Sequence, residues 1–354
     1  MQSPPEEKCF KDFFTFINEF EEYVLVCHHN ADPDTIGSAW MVGSFLSKKG
    51  VSFKIIAESY SSVSLKIINE IGQEEFFLDN KHKIKIEKQT GIIIFDTGDL
   101  SQLGSIRELI ETAIKENPSR IFIFDHHETN EIIEKKSIRG CVLTDYYSTC
   151  EIIGDLFLKN NKIKIFDANS LTALLCGIIY DTQRFFRADI TTFELITQLL
   201  KNGANYEKAI QLLTMNIEYP EKIARLKALQ RMVLRTPGGI IIAMSYVSSY
   251  ESSAARAIIN NGADIAFVIS LRKSEIRASI RARKELSIKI DFKKILGLII
   301  QEFGGTAGGH FGAMGMNIPF PSPKKKMIPK IQKMFYEELL KELHSKGIIN
   351  DLEE

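Results

Sequence analysis

Five of the seven histidines, His28, His29, His126, His127 and His310, sit in short clusters with carboxylates or glycines. The first cluster is His28-His29-Asn30-Ala31-Asp32-Pro33-Asp34. Asp32 and Asp34 alternate about Pro33, so in an extended turn both carboxylates face one side, where His28 can join them. Asp96-Thr97-Gly98-Asp99, Asp125-His126-His127-Glu128 and Asp181-Thr182 follow further along the chain. A mixed imidazole and carboxylate set suits a divalent ion such as manganese, whereas oxygen ligands alone would favour magnesium or calcium. Taken singly, each cluster also reads as a helix start with an aspartate cap, or as a solvated strand end. His29 reads as a structural or outer-shell histidine.

These clusters need elements that bring them together. Tyr23 to Cys27, Phe53 to Ala57, Gly91 to Phe95 and Arg120 to Phe124 are short, nearly continuous apolar runs, as expected of strands buried on both faces of a parallel sheet. Helical periodicity fills Thr35 to Lys49, Ser62 to Ile71, Ser105 to Asn117 and Ser148 to Lys159, with Ser148 or Thr149 as cap. That alternation predicts an α/β layer, with the first three clusters at the carboxyl ends of three strands, where open sheets bind ligands. Asp181 follows the apolar stretch Leu174 to Tyr180, and a charge there must be solvated, paired or metal-bound.

From about Thr191 to Leu234 the pattern is helical and strand-free. After Thr236-Pro237-Gly238-Gly239 a second α+β unit is predicted: strand Ile240 to Ser245, helix Glu251 to Asn260, strands Ile265 to Leu271 and Ile276 to Arg283, and helix Phe292 to Phe303. An amphipathic helix follows Pro329, and Lys324-Lys325-Lys326 reads as a solvated face. Arg277, Arg281 and Arg283 are spaced by even numbers along a strand and should share one face, where a guanidinium can clamp phosphate. A solvated strand face is the plain alternative. Glycines from Gly304 to Gly309 read as a turn whose amides could approach a phosphate, with His310 as a further donor.

Across all 354 residues, 45 Lys+Arg balance 45 Asp+Glu. The neutrality is a cancellation, because residues 1–220 hold 23 basic against 32 acidic residues and residues 221–354 hold 22 against 13. Carboxylates for metal fall in one part and cations for a phosphorylated ligand in the other. With 44% hydrophobic and 25% charged residues the composition excludes wholesale disorder or a fibrous repeat. The five cysteines are odd in number, lack C-x-x-C spacing, and read as buried thiols in a reducing compartment. No apolar run approaches the roughly 20 residues that span a bilayer. With a polar, acidic start, this points to a cytoplasmic protein without a membrane partner.

The series HHNADPDTIGS, FDTGD, DHHE and GIIYDT resembles the four motifs of the DHH phosphoesterase superfamily. Ser279-Ile280-Arg281 and the run GGTAGGHFGAMG from Gly304 to Gly315 resemble the two signatures of the DHH-associated C-terminal domain. The likeness extends from about Glu21 to Pro319 and is nearest to nanoRNases and 3′-phosphoadenosine 5′-phosphate phosphatases, with RecJ-like exonucleases more distant. It implies an α/β fold: a parallel-sheet catalytic domain over 1–190, a helical connector over 191–235, and a smaller α+β substrate-binding domain over 236–354.

By resemblance, two divalent ions are implied, usually manganese, with magnesium or cobalt as alternatives. One would be held by His28, Asp32 and Asp96, the other by Asp34, Asp96, His126 and Asp181, with Asp96 bridging. Asp125 would fix the imidazole of its metal-bound neighbour His126, and His127 would face the phosphate or leaving group. Ser279, Arg281, Arg283, Gly308, Gly309 and His310 would bind substrate. Two metal ions together would activate water and neutralise phosphoryl charge during in-line attack, so no Ser or Cys nucleophile is needed.

The chain departs from the nanoRNase pattern where Thr306-Ala307 interrupt the glycines, where Ala282 replaces a serine, and where Gln183 replaces a glycine after Asp181-Thr182. The resemblance implies hydrolysis of short single-stranded RNA or DNA or of nucleotide phosphates. A RecJ-like exonuclease and a cyclic or linear dinucleotide phosphodiesterase stand as alternatives. An inorganic pyrophosphatase fits the glycine-histidine signature less well, and a non-catalytic scaffold would be expected to have lost ligands. A homodimer is compatible with the sequence.

Overall fold

The computed structural model describes residues 5–79, 85–136, 138–214, 217–310 and 312–350. The chain divides into two compact units, Met1–Met215 and Asn216–Glu354.

The first unit carries a parallel sheet of β1 (Glu22–Val26), β2 (Ser52–Ile56), β3 (Phe77–Leu78), β4 (Gly91–Phe95), β5 (Ile121–Asp125) and β6 (Arg139–Val142), in the order β3-β2-β1-β4-β5-β6. Its helices are α1 (Pro5–Phe16), α2 (Pro33–Lys48), α3 (Ser62–Ile71), α4 (Arg107–Glu116), α5 (Glu131–Lys136), α6 (Thr149–Lys159), α7 (Ala168–Asp181), α8 (Ile190–Lys201) and α9 (Tyr206–Leu213). Side-chain alternation sorts the sheet into two faces. Tyr23, Leu25, Phe95, Phe122 and Phe124 pack with α1, α2, α6 and α7, while Val24, Val26, Ile92, Ile94, Ile121 and Ile123 pack with Ile110, Ala113 and Ile114 of α4. Burial on both faces is why these strands are continuously apolar rather than alternating. Strand order reverses between β1 and β4, the crevice where open α/β sheets bind ligands.

The second unit carries β7 (Val233–Arg235), β8 (Ile242–Val247), β9 (Ile265–Leu271), β10 (Glu275–Ala282), β11 (Thr306–His310) and β12 (Ala313–Pro319), ordered β11-β12-β10-β9-β8-β7 with only the β8/β9 pair parallel. α10 (Tyr219–Gln230) and α11 (Glu251–Asn260) cover one face through an alanine-rich layer. After the short α12 (Lys284–Ser287), α13 (Phe292–Phe303) and α14 (Met327–Ser345) cover the other, where Phe267 stacks on Phe335 with ring centroids 4.0 Å apart.

Several expectations change. The division falls inside the stretch 191–235 read as a connector: α8 and α9 belong to the first unit and α10 to the second, because Leu195, Ile196 and Leu199 bury into the first core. The apolar run before Asp181 is helix α7. Gly304 to Gly309 is mostly strand β11 rather than a turn, since the Thr306–His310 backbone pairs with β12. β10 ends at Ala282, so Arg283 leaves the alternation and caps α12. Cys9 on α1 and Cys141 on β6 form a disulfide, which corrects the reading of all five cysteines as free; a separation of 132 residues hid it. Cys27, Cys150 and Cys176 are free and buried. Among the described residues, no helix is long and apolar enough to cross a membrane.

Candidate functional site

The ends of three strands and one helix converge at the carboxyl edge of the first sheet. β1 runs out into His28 and His29, and the chain then turns into α2, whose N-cap is Asp32. The Asp32 Oδ1 accepts from the Asp34 and Thr35 amides at 3.0 and 3.1 Å, so the aspartate that faces the cluster also starts the helix. β4 leads directly into Asp96, held with φ 52, a left-handed conformation uncommon for a non-glycine and often seen at functional sites. β5 ends in Asp125, followed by His126 and His127. Asp181 is the last residue of α7.

Their side chains form interlocking groups. His28, Asp32 and Asp96 can surround one point, Asp34, His126 and Asp181 a second, and Asp96, His126 and His127 also approach one another. His28 Nε2 lies 3.6 Å from Asp32 Oδ1 and 3.7 Å from Asp96 Oδ2. His126 Nε2 lies 3.4 Å from Asp96 Oδ1 and 3.1 Å from Asp181 Oδ2. Asp96 therefore reaches both groups. Asp34 is fully buried, and its carboxylate accepts the Thr149 and Cys150 amides at 2.8 Å each, at the amino end of α6. A helix N-terminus favours that negative charge.

The donor set fits divalent cations. Burial, reinforced by Asp96 and Asp181, pushes Asp34 well above the usual carboxylate range, and burial likewise raises Asp96. Burial disfavours the charged forms of His28 and His126, yet the surrounding aspartates outweigh it and push them up to about 9 and about 11. Clustered acids raise one another's proton affinity, and a bound cation would relieve that mutual repulsion. His28 Nδ1 faces the His29 carbonyl at 2.8 Å and so donates to it, leaving Nε2 as the ligating atom.

His127 is set differently. Its Nδ1 lies 2.6 Å from Asp125 Oδ1, and this hydrogen bond raises the ring above its ordinary value. Asp125 was expected to fix a neighbouring imidazole; the ring it holds is that of His127, while it reaches His126 only through the backbone amide at 3.0 Å. Asp125 is itself clamped by Asn130, whose Nδ2 donates to Oδ2 at 2.8 Å and whose Oδ1 accepts from the Ile132 and Ile133 amides. Half-exposed, the His127 ring is free to meet a ligand. His29 behaves as a structural histidine, its Nδ1 3.0 Å from the Gln102 carbonyl.

In the second unit, Ser279, Arg281, Gly308 and Gly309 line one cleft of about 450 Å³ together with Ser252, Arg277 and Asn317. Arg281 Nη2 donates to Ser252 Oγ at 2.9 Å, while its Nε has no partner among the described residues. Burial and the nearby Arg256 hold Arg281 below its usual value, a setting that an anion would relieve. Arg277 is paired with Glu275 at 2.7 Å. Arg283 does not line this cleft; it pairs with Asp264 at 3.3 Å. The backbone of His310 pairs with Ala313, and its side chain lies outside the described residues. Gly304, Gly305 and Gly309 hold positive φ, and at Gly305 and Gly309 the Asn317 and Ala313 carbonyls stand where a Cβ would, so Thr306 and Ala307 are accommodated as ordinary strand residues.

Sequence reasoning passed over the residues that hold the ligands in place. Asn130, two residues beyond DHHE, was findable as a polar residue before an apolar helical run. Gly37 and Gly177 let α2 and α7 approach: a Cβ on Gly37 would lie 2.7 Å from the Ala173 carbonyl, and one on Gly177 would strike Cys150 Sγ and lie 3.0 Å from Asp34 Cα. Nothing in sequence pairs these two glycines.

Residues 22–178 match the DHH family, N-terminal domain. An uncharacterized protein of Methanocaldococcus jannaschii is 36% identical over 332 residues, covering 91% of this chain and 95% of that protein. The cyclic-di-AMP phosphodiesterase PdeA of Listeria monocytogenes is 23% identical over 83% of this chain and 44% of its own length. In fold, an exopolyphosphatase-related protein from Bacteroides fragilis superposes over 98% of both chains with a TM-score of 0.65 at 15% identity. The family match covers the strand ends that carry all but one of the grouped ligands, Asp181 lying just beyond it, and with the near full-length relative it shows that the chain belongs to the DHH family of phosphoesterases.

Proposed function

We propose that the protein is a two-metal hydrolase that releases mononucleotides from short oligonucleotides or removes phosphate from nucleotide phosphates such as 3′-phosphoadenosine 5′-phosphate, with manganese as its ion and in the cytoplasm. The observation that carries this reading is the pair of ligand groups meeting at Asp96, with the Asp125-held His127 alongside.

In this reading His28, Asp32 and Asp96 would hold one ion and Asp34, His126 and Asp181 the other, with Asp96 within reach of both groups. When bound, the two ions supply Lewis acidity to the phosphoryl group and to the attacking water. The chain's own residues do the rest. Asp125 keeps the proton on His127 Nδ1, which leaves Nε2 to give a proton to the departing ester oxygen as the new P–O bond forms and the old one breaks. Arg281, Ser279 and the Gly308-Gly309 backbone bind a phosphate or base of the substrate, and the charged Arg281 supplies the anion contact. His310 is assigned a lesser substrate role, and Arg283 none, because it pairs with Asp264 and does not line the cleft.

A second reading, cyclic dinucleotide hydrolysis, is favoured by the cyclic-di-AMP phosphodiesterases of Listeria monocytogenes and Bacillus subtilis among the relatives. Turnover of 5′-labelled RNA and DNA of two to about twenty nucleotides, 3′-phosphoadenosine 5′-phosphate, pApA and cyclic di-AMP, each with manganese and with chelator, separates these readings. Release of 5′-mononucleotides from dinucleotides only with metal is expected. Equal rates with chelator overturn the two-metal reading, and turnover of the cyclic substrate in preference to the linear one selects the second.

A further inference from the structure

Directly after Asp181 and the buried Thr182, the chain places three consecutive non-glycine residues in the left-handed region: Gln183 at φ 52, Arg184 at 59 and Phe185 at 70. One such residue is uncommon, and a run of three persists only where the surroundings over-determine it. Here they do. The Arg184 amide donates to the Ile179 carbonyl at 2.8 Å, the Phe185 amide to Thr182 Oγ1 at 3.2 Å, and the Arg187 amide to the Thr182 carbonyl at 2.9 Å, so the turn closes back on the residue beside Asp181. Thr182 Oγ1 is itself tied to the Ile178 carbonyl at 2.6 Å. Phe185 anchors inward against the core and Phe193, their ring centroids 5.5 Å apart.

The outcome of this bracing is an outward display. Phe186 is 86% exposed, the most exposed large apolar side chain among the described residues. Arg184 and Arg187 flank it, both exposed, and among the described residues neither side chain has an ion-pair or hydrogen-bond partner. On the preceding turn Tyr180 is 43% exposed. An exposed ring between two unpaired guanidiniums on a braced turn, five residues after Asp181, has the composition of a single-strand nucleic-acid platform: an aromatic face for a base and cations for its phosphates. Inorganic phosphate chains would use the arginines and leave the ring without a purpose.

We infer that the turn Gln183–Phe185 holds Phe186, Arg184 and Arg187 as a ledge on which the nucleobase and backbone phosphate next to the scissile bond rest, so that the site takes base-bearing substrates rather than inorganic polyphosphate. This rests on the nucleotide hydrolysis proposed above and assigns it a base-binding surface.

The test uses the full chain with manganese, acting on pApA and on the same dinucleotide lacking the base at its cleaved end. Phe186→Ala is expected to raise KM for pApA roughly tenfold, within the range for loss of one base–aromatic stack, and Phe186→Trp to restore it. The abasic substrate should show the raised KM with the wild-type protein, with no further rise in Phe186→Ala. An equal effect of Phe186→Ala on both substrates, or none on either, overturns the ledge while leaving hydrolysis standing. Binding of a 2-aminopurine dinucleotide in the presence of chelator gives a readout independent of turnover. Fluorescence quenching that is lost in Phe186→Ala supports the ledge even if no substrate is cleaved, and quenching unchanged in the variant overturns it.

Discussion

The two units solve the problem of placing charge in opposite ways. In the first, Asp34, Asp96 and Asp125 are at most 7% exposed, and each is pinned by more than its own backbone: Asp34 by the α6 amides, Asp96 by the Thr149 hydroxyl at 3.4 Å, Asp125 by Asn130. In the second, the cleft lies on a strand face whose arginines are partly exposed and whose cation Arg281 leans on a single serine. A cluster of buried acids has one arrangement that a cation can satisfy. A strand face reads a ligand by alternation alone and tolerates exchange. The difference teaches that loss of function in the first unit should be steep and tied to metal, and in the second graded and tied to substrate.

The largest effect expected is at Asp96. Removing the carboxylate shared by both ligand groups should lower kcat by roughly a thousandfold or more, because each bound ion contributes several kcal/mol of transition-state stabilisation. If manganese is the ion, it should raise the melting temperature of the wild-type protein and not that of Asp96→Ala, since an ion that binds only the folded state stabilises it by mass action. Near-normal turnover in the variant would contradict the shared role of Asp96.

Next comes a residue that touches no ligand. Gly177→Ala would drive a methyl into Cys150 Sγ and toward Asp34 Cα, and both are backed by buried helix. Overpacking of that kind costs about 1–3 kcal/mol. If the contrast between the units holds, the variant should weaken manganese binding roughly tenfold, the scale of outer-shell changes at metal sites, with KM for substrate little affected. A calorimetric titration of metal into wild type and variant checks it. Unchanged affinity would mean that the α2–α7 contact serves stability alone.

These two positions also mark how far sequence reading reaches. Asp96 was legible because a buried parallel strand has an apolar stretch with a sharp end, and the residue at that end is where ligands bind. The same logic found the helix Glu251–Asn260 and the strand Ile265–Leu271 to the residue. Gly177 was not legible, since its role depends on which helix lies opposite, a tertiary fact that its neighbours in the chain do not encode. α7 escaped assignment because a fully buried helix has no polar face to show a period of 3.6. β11 was read as a turn because Gly308 and Gly309 resemble loop residues, although pairing with β12 makes them strand. Arg283 looked in phase with Arg281, but the strand stops one residue earlier.

The last pair, Arg281 and Arg283, tests the second unit against itself. Both were expected on one phosphate-binding face. In the folded chain Arg281 lines the cleft with an Nε that has no partner among the described residues, whereas Arg283 caps a short helix and spends its charge on Asp264. Arg281→Ala should raise KM for a dinucleotide roughly tenfold, in keeping with loss of a charge-assisted contact of about 1.5 kcal/mol. Metal affinity should be unchanged. Arg283→Ala should have the smallest effect of all: a half-exposed ion pair is worth less than about 1 kcal/mol, so a slightly lower melting temperature and an unaltered KM are expected. Steady-state kinetics of the two variants side by side give the answer. An equal rise in KM for both would mean that Arg283 leaves Asp264 when substrate binds, and would return it to the phosphate-binding set that its spacing first suggested.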